Sequence, residues 1–249
     1  MENFELATFF CQDIAALCRI GILPIVVHGG GPQIKKTLES LGIESKFVNG
    51  LRVTDENVME TAQMVLCGQI NKNIVGMISN NKDIQGALGL CGLDSNLIQA
   101  KVKDPELGLV GEPTGVNSQL ITRLTGMGLV PVIAPVGCNE DGGGSLNINA
   151  DTAAGAVAKG VKAERLLLLT DITGVLNKDK VLMETIESTK LPEFITDGTI
   201  SGGMIPKLET ASQAVEAGVG VVGIMDGRVK HCVLRALSGE VFGTKVVKG

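Results

Sequence analysis

The chain alternates short, unbroken apolar runs with stretches whose apolar residues recur every three to four positions. The runs are Pro24 to Val27, Leu129 to Val136, Leu166 to Leu169 and Val219 to Ile224, each ending near Gly, Asp, Asn or Ser. Continuous runs of this length suit strands buried on both faces. The periodic stretches cover residues 3–20, 33–41, 55–79, 116–126, 151–161 and 206–217. In the first of them Phe4, Ala7, Phe10, Ile14, Leu17 and Cys18 fall near helical spacing. Strand and helix in alternation predict a mostly parallel sheet with right-handed crossovers. The expected architecture is α/β: a three-layer αβα sandwich around an open, mostly parallel central sheet. Residues 84–115 are less regular, and the alternation from Asn96 to Val102 predicts a hairpin-bearing insertion there.

Composition narrows the picture. The 249 residues are 44% hydrophobic, enough for one large domain over 1–249, with approximate lobes 1–150 and 151–249. The formal charge is -5 and aromatics are 2%, so neither a basic stripe nor a stacking platform supports nucleic-acid binding. The six cysteines form no C-x-x-C pair, and His28 and His231 are far apart, which argues against a zinc site. Scattered thiols suit a reducing compartment. No apolar run approaches the ~20 residues of a membrane span. The first twenty residues carry Glu2, Glu5 and Asp13 and show no targeting character, so a cytoplasmic location is expected, or a plastid one if a transit peptide is missing.

Five segments carry candidate chemistry. His28-Gly29-Gly30-Gly31 follows an apolar run and opens a helical pattern with Pro32, which stops at Gly42. A helix N-terminus beside glycines suits an anion or carboxylate, although glycine turns after strands are also common in α/β sheets. Asn49-Gly50-Leu51-Arg52 offers a guanidinium that can clamp a carboxylate or simply lie on the surface. Asn147, Asn149 and Asp151 precede a small-residue helix. The two amides share strand spacing and are expected to point one way. Asp151 suits an N-cap or the orientation of a lysine. Thr170-Asp171-Ile172-Thr173-Gly174 ends a buried run, where open α/β sheets bind ligands. Gly198 to Lys207 is a Gly/Ser-rich loop delivering a lysine into a helix, a compact cation for a transferring phosphoryl group.

Taken in order, HGGGPQI, NGLRVTDE, GLVGEP, NINADTAA, LLLTDITGVL and GTISGGMIPK resemble the amino acid kinase family over essentially the whole chain. The resemblance implies phosphoryl transfer from ATP, with Mg²⁺, to the side-chain carboxylate of N-acetyl-L-glutamate, giving an acyl phosphate in arginine biosynthesis. It assigns the acetylglutamate to Gly30, Gly31, Arg52 and Asn147 in the first lobe. It assigns the nucleotide to Asp171, Ile172, Thr173, Gly174, Val175, Leu176, Thr199, Ile200 and Ser201 in the second. Lys207 would stabilise charge in the transition state and Asp151 would orient catalytic lysines; no protein residue is expected to ligate a metal. A homo-oligomer is implied as well. The segment Met225 to His231, with Gly243 and Thr244, is similar to that of members inhibited by arginine, which makes arginine a candidate effector.

One part of the pattern is missing. The family opens with a strand ending Lys-x-Gly-Gly, and this sequence begins at the helix that follows it. Losing that lysine is expected to cost on the order of 2–4 kcal/mol of transition-state stabilisation, by analogy with a lost oxyanion donor. Losing the strand is expected to leave unpaired sheet edges. The sequence therefore also admits a copy that binds ligand without turnover, or another carboxylate or carbamate kinase of the same fold.

Overall fold

The computed structural model describes residues 4–48, 50–240 and 242–249. Asn49, which opens the Asn-Gly-Leu-Arg run, lies outside the described residues, as does the first position of the expected helix 3–20. The N-terminal part runs α1 (Phe4–Arg19), β1 (Val26–Val27), α2 (Gly31–Ser40), the hairpin β2 (Phe47–Val48) and β3 (Leu51–Arg52), then α3 (Glu56–Gln63) and α4 (Asn71–Ser79). It continues through β4 (Ala87–Cys91), β5 (Ile98–Val102), β6 (Gly111–Val116), α5 (Ser118–Gly126), β7 (Val130–Ala134), β8 (Val136–Asn139) and β9 (Ser145–Asn147). The rest comprises α6 (Ala150–Val161), β10 (Arg165–Thr170), β11 (Thr185–Glu187), α7 (Leu191–Thr196), α8 (Met204–Glu216), β12 (Val221–Asp226), α9 (Cys232–Leu237) and β13 (Thr244–Val247).

The mostly parallel α/β plan expected from the sequence is present, divided between sheets. One sheet is ordered β1-β7-β4 and is parallel throughout. A second is ordered β10-β12-β13-β11, with β10–β12 and β11–β13 parallel. Helices cover both faces of each. On β7, Val130, Val132 and Ala134 face a core shared with Ile74 and Ile78 of α4. Ile133 faces the opposite core, with Ile121 of α5 and Ala153 and Val157 of α6. Leu166 and Leu168 of β10 pack with Leu208, Ala211 and Val215 of α8. Leu167 turns the other way, toward Leu17 of α1 and Cys232 and Val233 of α9. Each fully buried Leu or Ile contributes about 1.5–3 kcal/mol, so alternation along a strand ties two helical layers to one sheet.

Within the described residues β1 and β10 each pair on one side only and so form sheet edges. Apolar side chains lie exposed near them in sequence: Ile22 and Leu23 ahead of β1, and Leu169 on β10.

Three local readings are corrected. The run Leu129 to Val136 is two strands, because the chain breaks at Pro135 and moves from the β1-β7-β4 sheet to a four-stranded sheet ordered β6-β5-β8-β9. The stretch 55–79 is a helix whose middle, Met64–Ile70, widens into a π-helix; such turns alter which side chains share a face. The insertion holds the expected hairpin, β5 with β6, yet β4 inside the same region belongs to the parallel sheet. All six cysteines are free; Cys11, Cys91 and Cys232 are buried and the other three are half-buried.

Candidate active site

The glycine turn is built by packing. Gly30 caps α2 with extended φ and no side-chain cap, and Pro32 occupies the first turn, which leaves helix N–H groups facing outward. A Cβ on Gly30 would collide with Ile70 Cδ1 and lie 2.8 Å from Leu66 Cδ2, both on the π-helical segment. Gly31 has open space around its Cβ position. The two glycines therefore differ: one lets the turn sit on a neighbouring helix, and the other leaves room beside the backbone.

Arg52 is buried, with only 8% of its surface exposed. Its guanidinium donates to Gly31 O at 3.0 Å and to Ser45 Oγ, and it lies 4.7 Å from the Phe47 ring centre. Burial pushes its pKa below the usual arginine value. No carboxylate pairs with it among the described residues. A desolvated cation without a counter-ion is costly, and an arriving anion would offset that cost.

Thr54 links this cation to the next segment. Fully buried, it donates through Oγ1 to Arg52 O at 2.8 Å and accepts from Asn147 Nδ2 at 3.1 Å. Backbone bonds from Leu109 N to Thr54 O (2.7 Å) and from Asn147 N to Leu109 O (2.9 Å) complete the brace. Thr54 was legible only as part of the NGLRVTDE run, with no sign that it would join two distant motifs.

The structure separates Asn147, Asn149 and Asp151. Asn149, not Asp151, caps α6: its Oδ1 accepts from Asp151 N at 2.9 Å and Thr152 N at 3.1 Å. The expected pair of converging amides is therefore not formed. Capping by Asn149 leaves the Asp151 carboxylate to accept from Lys207 Nζ at 2.6 Å, with both side chains about one-quarter exposed. Gly29 places its Cβ position 3.5 Å from Ala150 Cβ, so the glycine turn rests on the start of α6. An unbroken chain of contacts thus joins Arg52, Gly31, the turn, Asp151 and Lys207.

The remaining predicted residues lie on the loop after β10 and the loop before α8. Val175 and Ile200 are buried in the C-terminal core, while Asp171, Thr173, Leu176 and Ser201 are exposed and Ile172 and Thr199 are half-buried. The Lys178–Asp197 ion pair, at 2.9 Å, ties the two loops together. Asp197 is held down at about 2, first by its side-chain bond to Thr199 and then by Lys178. Gly174 sits at φ +144, where an added Cβ would also crowd Leu182 and Thr244.

The C-terminal segment makes internal pairs. Asp226 accepts two bonds from the Arg228 guanidinium, at 2.9 and 2.8 Å. The buried Asp13 of α1 meets His231 at 2.6 Å and accepts from Val233 N at 3.2 Å. An open cavity of about 760 Å³ lies along α3 and its π continuation, reaching Leu109 and Ser145. None of the predicted residues lines it, and Leu109 is its link to the site.

Among the described residues no helix is long and apolar enough to cross a membrane, and no group of three or more His, Cys, Asp or Glu could hold a metal. The family whose profile matches residues 3–226 is described as the amino acid kinase family. An acetylglutamate kinase of Parvibaculum lavamentivorans is 49% identical over all of this chain and 85% of its own length. One of Azorhizobium caulinodans is 47% identical, over all of this chain and 86% of its own. A solved Giardia carbamate kinase, 18% identical, superposes with a TM-score of 0.75 over 98% of this chain and 90% of its own and shares the fold. By profile, sequence and fold, the chain belongs to the amino acid kinase family.

Proposed function

We propose that this chain transfers the terminal phosphoryl group of ATP to the side-chain carboxylate of N-acetyl-L-glutamate, forming an acyl phosphate, the second step of arginine biosynthesis. The observation that carries the reading is Arg52: a buried guanidinium, with no carboxylate partner among the described residues, bonded to Gly31 O at the glycine turn. An acetylglutamate carboxylate supplies the missing anion there, with Asn147 and the Gly30–Gly31 backbone completing the grip. The relatives named acetylglutamate kinase support the same substrate.

The chemistry needs no covalent enzyme intermediate and no general base, because the substrate carboxylate is ionised at neutral pH and is itself the nucleophile. The protein's work is alignment and charge stabilisation. Lys207 is the cation for the charge that builds on the transferring group, and Asp151 fixes where that cation points. Asp171 to Leu176 and Thr199 to Ser201 are proposed to hold the nucleotide. Mg²⁺ fits as a companion of the nucleotide phosphates, since its usual ligands are phosphates, waters and one or two carboxylates, and exposed Asp171 offers one. Bound, it would neutralise phosphate charge.

The test is formation of a hydroxamate from the acyl phosphate in hydroxylamine. It is expected to require both ATP and N-acetyl-L-glutamate, with carbamate or unacetylated glutamate giving little. Binding of both ligands with no hydroxamate would replace the kinase by a binding subunit. L-Arginine is proposed as an effector at the C-terminal segment; unchanged activity at millimolar arginine would remove that part alone.

A further inference from the structure

A buried polar network lies directly beneath the glycine turn. Asn71 is the first residue of α4 and is 1% exposed. Its Nδ2 donates to Val132 O on β7 at 2.9 Å, lies 3.4 Å from Leu90 O on β4, and reaches His28 Nε2 at 3.2 Å. Its Oδ1 accepts from Lys72 Nζ at 3.1 Å. Carbonyls cannot donate and an ammonium cannot accept, so these partners leave one orientation for the amide. The same logic fixes the histidine. His28 Nδ1 faces Gly29 O at 3.1 Å, so Nδ1 carries the proton. Nε2 then has a lone pair, which accepts from Asn71.

A second, independent feature points the same way. Gly89 of β4 has no side chain, and the space its Cβ would fill is occupied by Asn71 Oδ1, with Lys72 Nζ at 2.7 Å. Gly89 has ordinary φ, so the glycine is required by this neighbour rather than by its own backbone. Burial pushes the His28 imidazole below its ordinary value, which accords with a neutral ring. Lys72 is the charged group within the network.

We propose that Asn71 is a positioning residue for substrate binding: it holds His28 as the neutral Nδ1–H tautomer, and His28 in turn fixes the Gly29–Gly31 backbone on which Arg52 and the carboxylate converge. This rests on the reading of that turn as the acetylglutamate site. The network links three strands to the turn: β4 through Leu90, β7 through Val132 and β1 through His28 just after it, whose N–H continues the ladder to Ile133 O at 3.2 Å. A shift of Asn71 would therefore move the backbone that carries Gly31 O.

The test is ¹⁵N NMR of the imidazoles in the full chain, which has two histidines, together with N-acetyl-L-glutamate binding followed by backbone amide shifts. Wild type is expected to show His28 with Nδ1 protonated and Nε2 bare, persisting below pH 6.5. Asn71→Asp exchanges the donor for a carboxylate and should protonate Nε2 at neutral pH. Its affinity for N-acetyl-L-glutamate should fall about tenfold, the worth of one hydrogen bond lost from the grip on the carboxylate. The kcat of the saturated variant should stay within about threefold, since the reacting cation is untouched. Gly89→Ala, which displaces Asn71 without changing its chemistry, should weaken binding in the same direction. Should either variant fail to fold, the wild-type spectrum still decides: an Nε2–H tautomer, or ordinary titration near pH 6.5, overturns the proposal. So does an Asn71→Asp chain with an altered ring and unchanged affinity. A wild type with the expected tautomer that never binds N-acetyl-L-glutamate instead overturns the reading of the site, and the positioning role with it.

Discussion

The turn at His28–Gly31 and the loop at Gly198–Gly203 read alike in sequence, as glycine runs that open a helix, and they are held by different means. The first is fixed from outside. Leu66 and Ile70 fill the space above Gly30, Arg52 grips Gly31 O, and Asn71 supports His28 from below. The second is shaped from within. Gly198 and Gly202 take φ of +74° and +58°, and Gly198, Gly202 and Gly203 have open space around their Cβ positions. Only Ile200, 2% exposed, anchors that loop in the core. A small anion suits a prebuilt cradle, because little must be ordered when it binds. A nucleotide tail suits a loop with few packing ties, which can adapt around it.

The sharpest way to test this division is through its two cations, which should fail differently. Lys207→Met is expected to lower kcat by about 10²–10³, the scale of one lost transition-state donor. Its partly exposed ion pair should contribute no more than about 1 kcal/mol to stability. Arg52→Gln should act on the other side, raising KM for N-acetyl-L-glutamate by roughly 10- to 100-fold, the worth of a charge-assisted hydrogen bond of ~1.5–3 kcal/mol. KM for ATP should hold. Hydroxamate kinetics over a grid of both substrates separates the two. If Lys207→Met changed only KM for the acetylated substrate, the cations would share one role and the comparison would collapse.

Stability is the next measure. Gly30→Ala must push Ile70 and Leu66 aside, and such overpacking costs about 1–3 kcal/mol. Gly203→Ala adds a methyl to open space at helical φ and should stay within about 0.5 kcal/mol. Urea unfolding of the two variants gives the contrast directly. Equal losses would mean that the two glycine runs are held alike.

Much of this was legible from local pattern, and the failures share a cause. Leu166 to Leu169 and Val219 to Ile224 announced strands because both faces are covered by helices, and 151–161 and 206–217 announced the helices that cover them. The break at Pro135 was written in the residue itself, yet the apolar run on either side concealed it. The π-helical middle of 55–79 was hidden because its side chains keep near-helical spacing. Asn71 was out of reach: its partners His28 and Val132 lie 43 and 61 residues away along the chain. Thr54 and Asn147, 93 residues apart, pose the same problem. Motif reading collects residue types that suit a chemistry; it does not see the long-range hydrogen bonds that hold them.

Asn149 and Asp151 show that limit at its narrowest, and they carry the smallest expected effect. Both can cap a helix, and the sequence offered Asp151 either for the cap or for the orientation of a lysine. The structure gives the cap to Asn149 and leaves the aspartate to Lys207. Asn149→Ala should therefore cost about 1 kcal/mol of stability, the usual loss of an N-cap. Asp151→Asn keeps that cap and removes the charge that holds Lys207. Its stability should change by less than the cap is worth, while kcat falls with KM little altered. Asp151→Ala, alone and combined with Asn149→Ala, adds a finer measure, since alanine cannot cap as an asparagine could. If the roles are separate, the two stability changes sum to within about 0.3–0.5 kcal/mol although the residues are near neighbours. If Asp151 also capped α6, removing both would cost more than that sum, because each single variant would have left the other to serve.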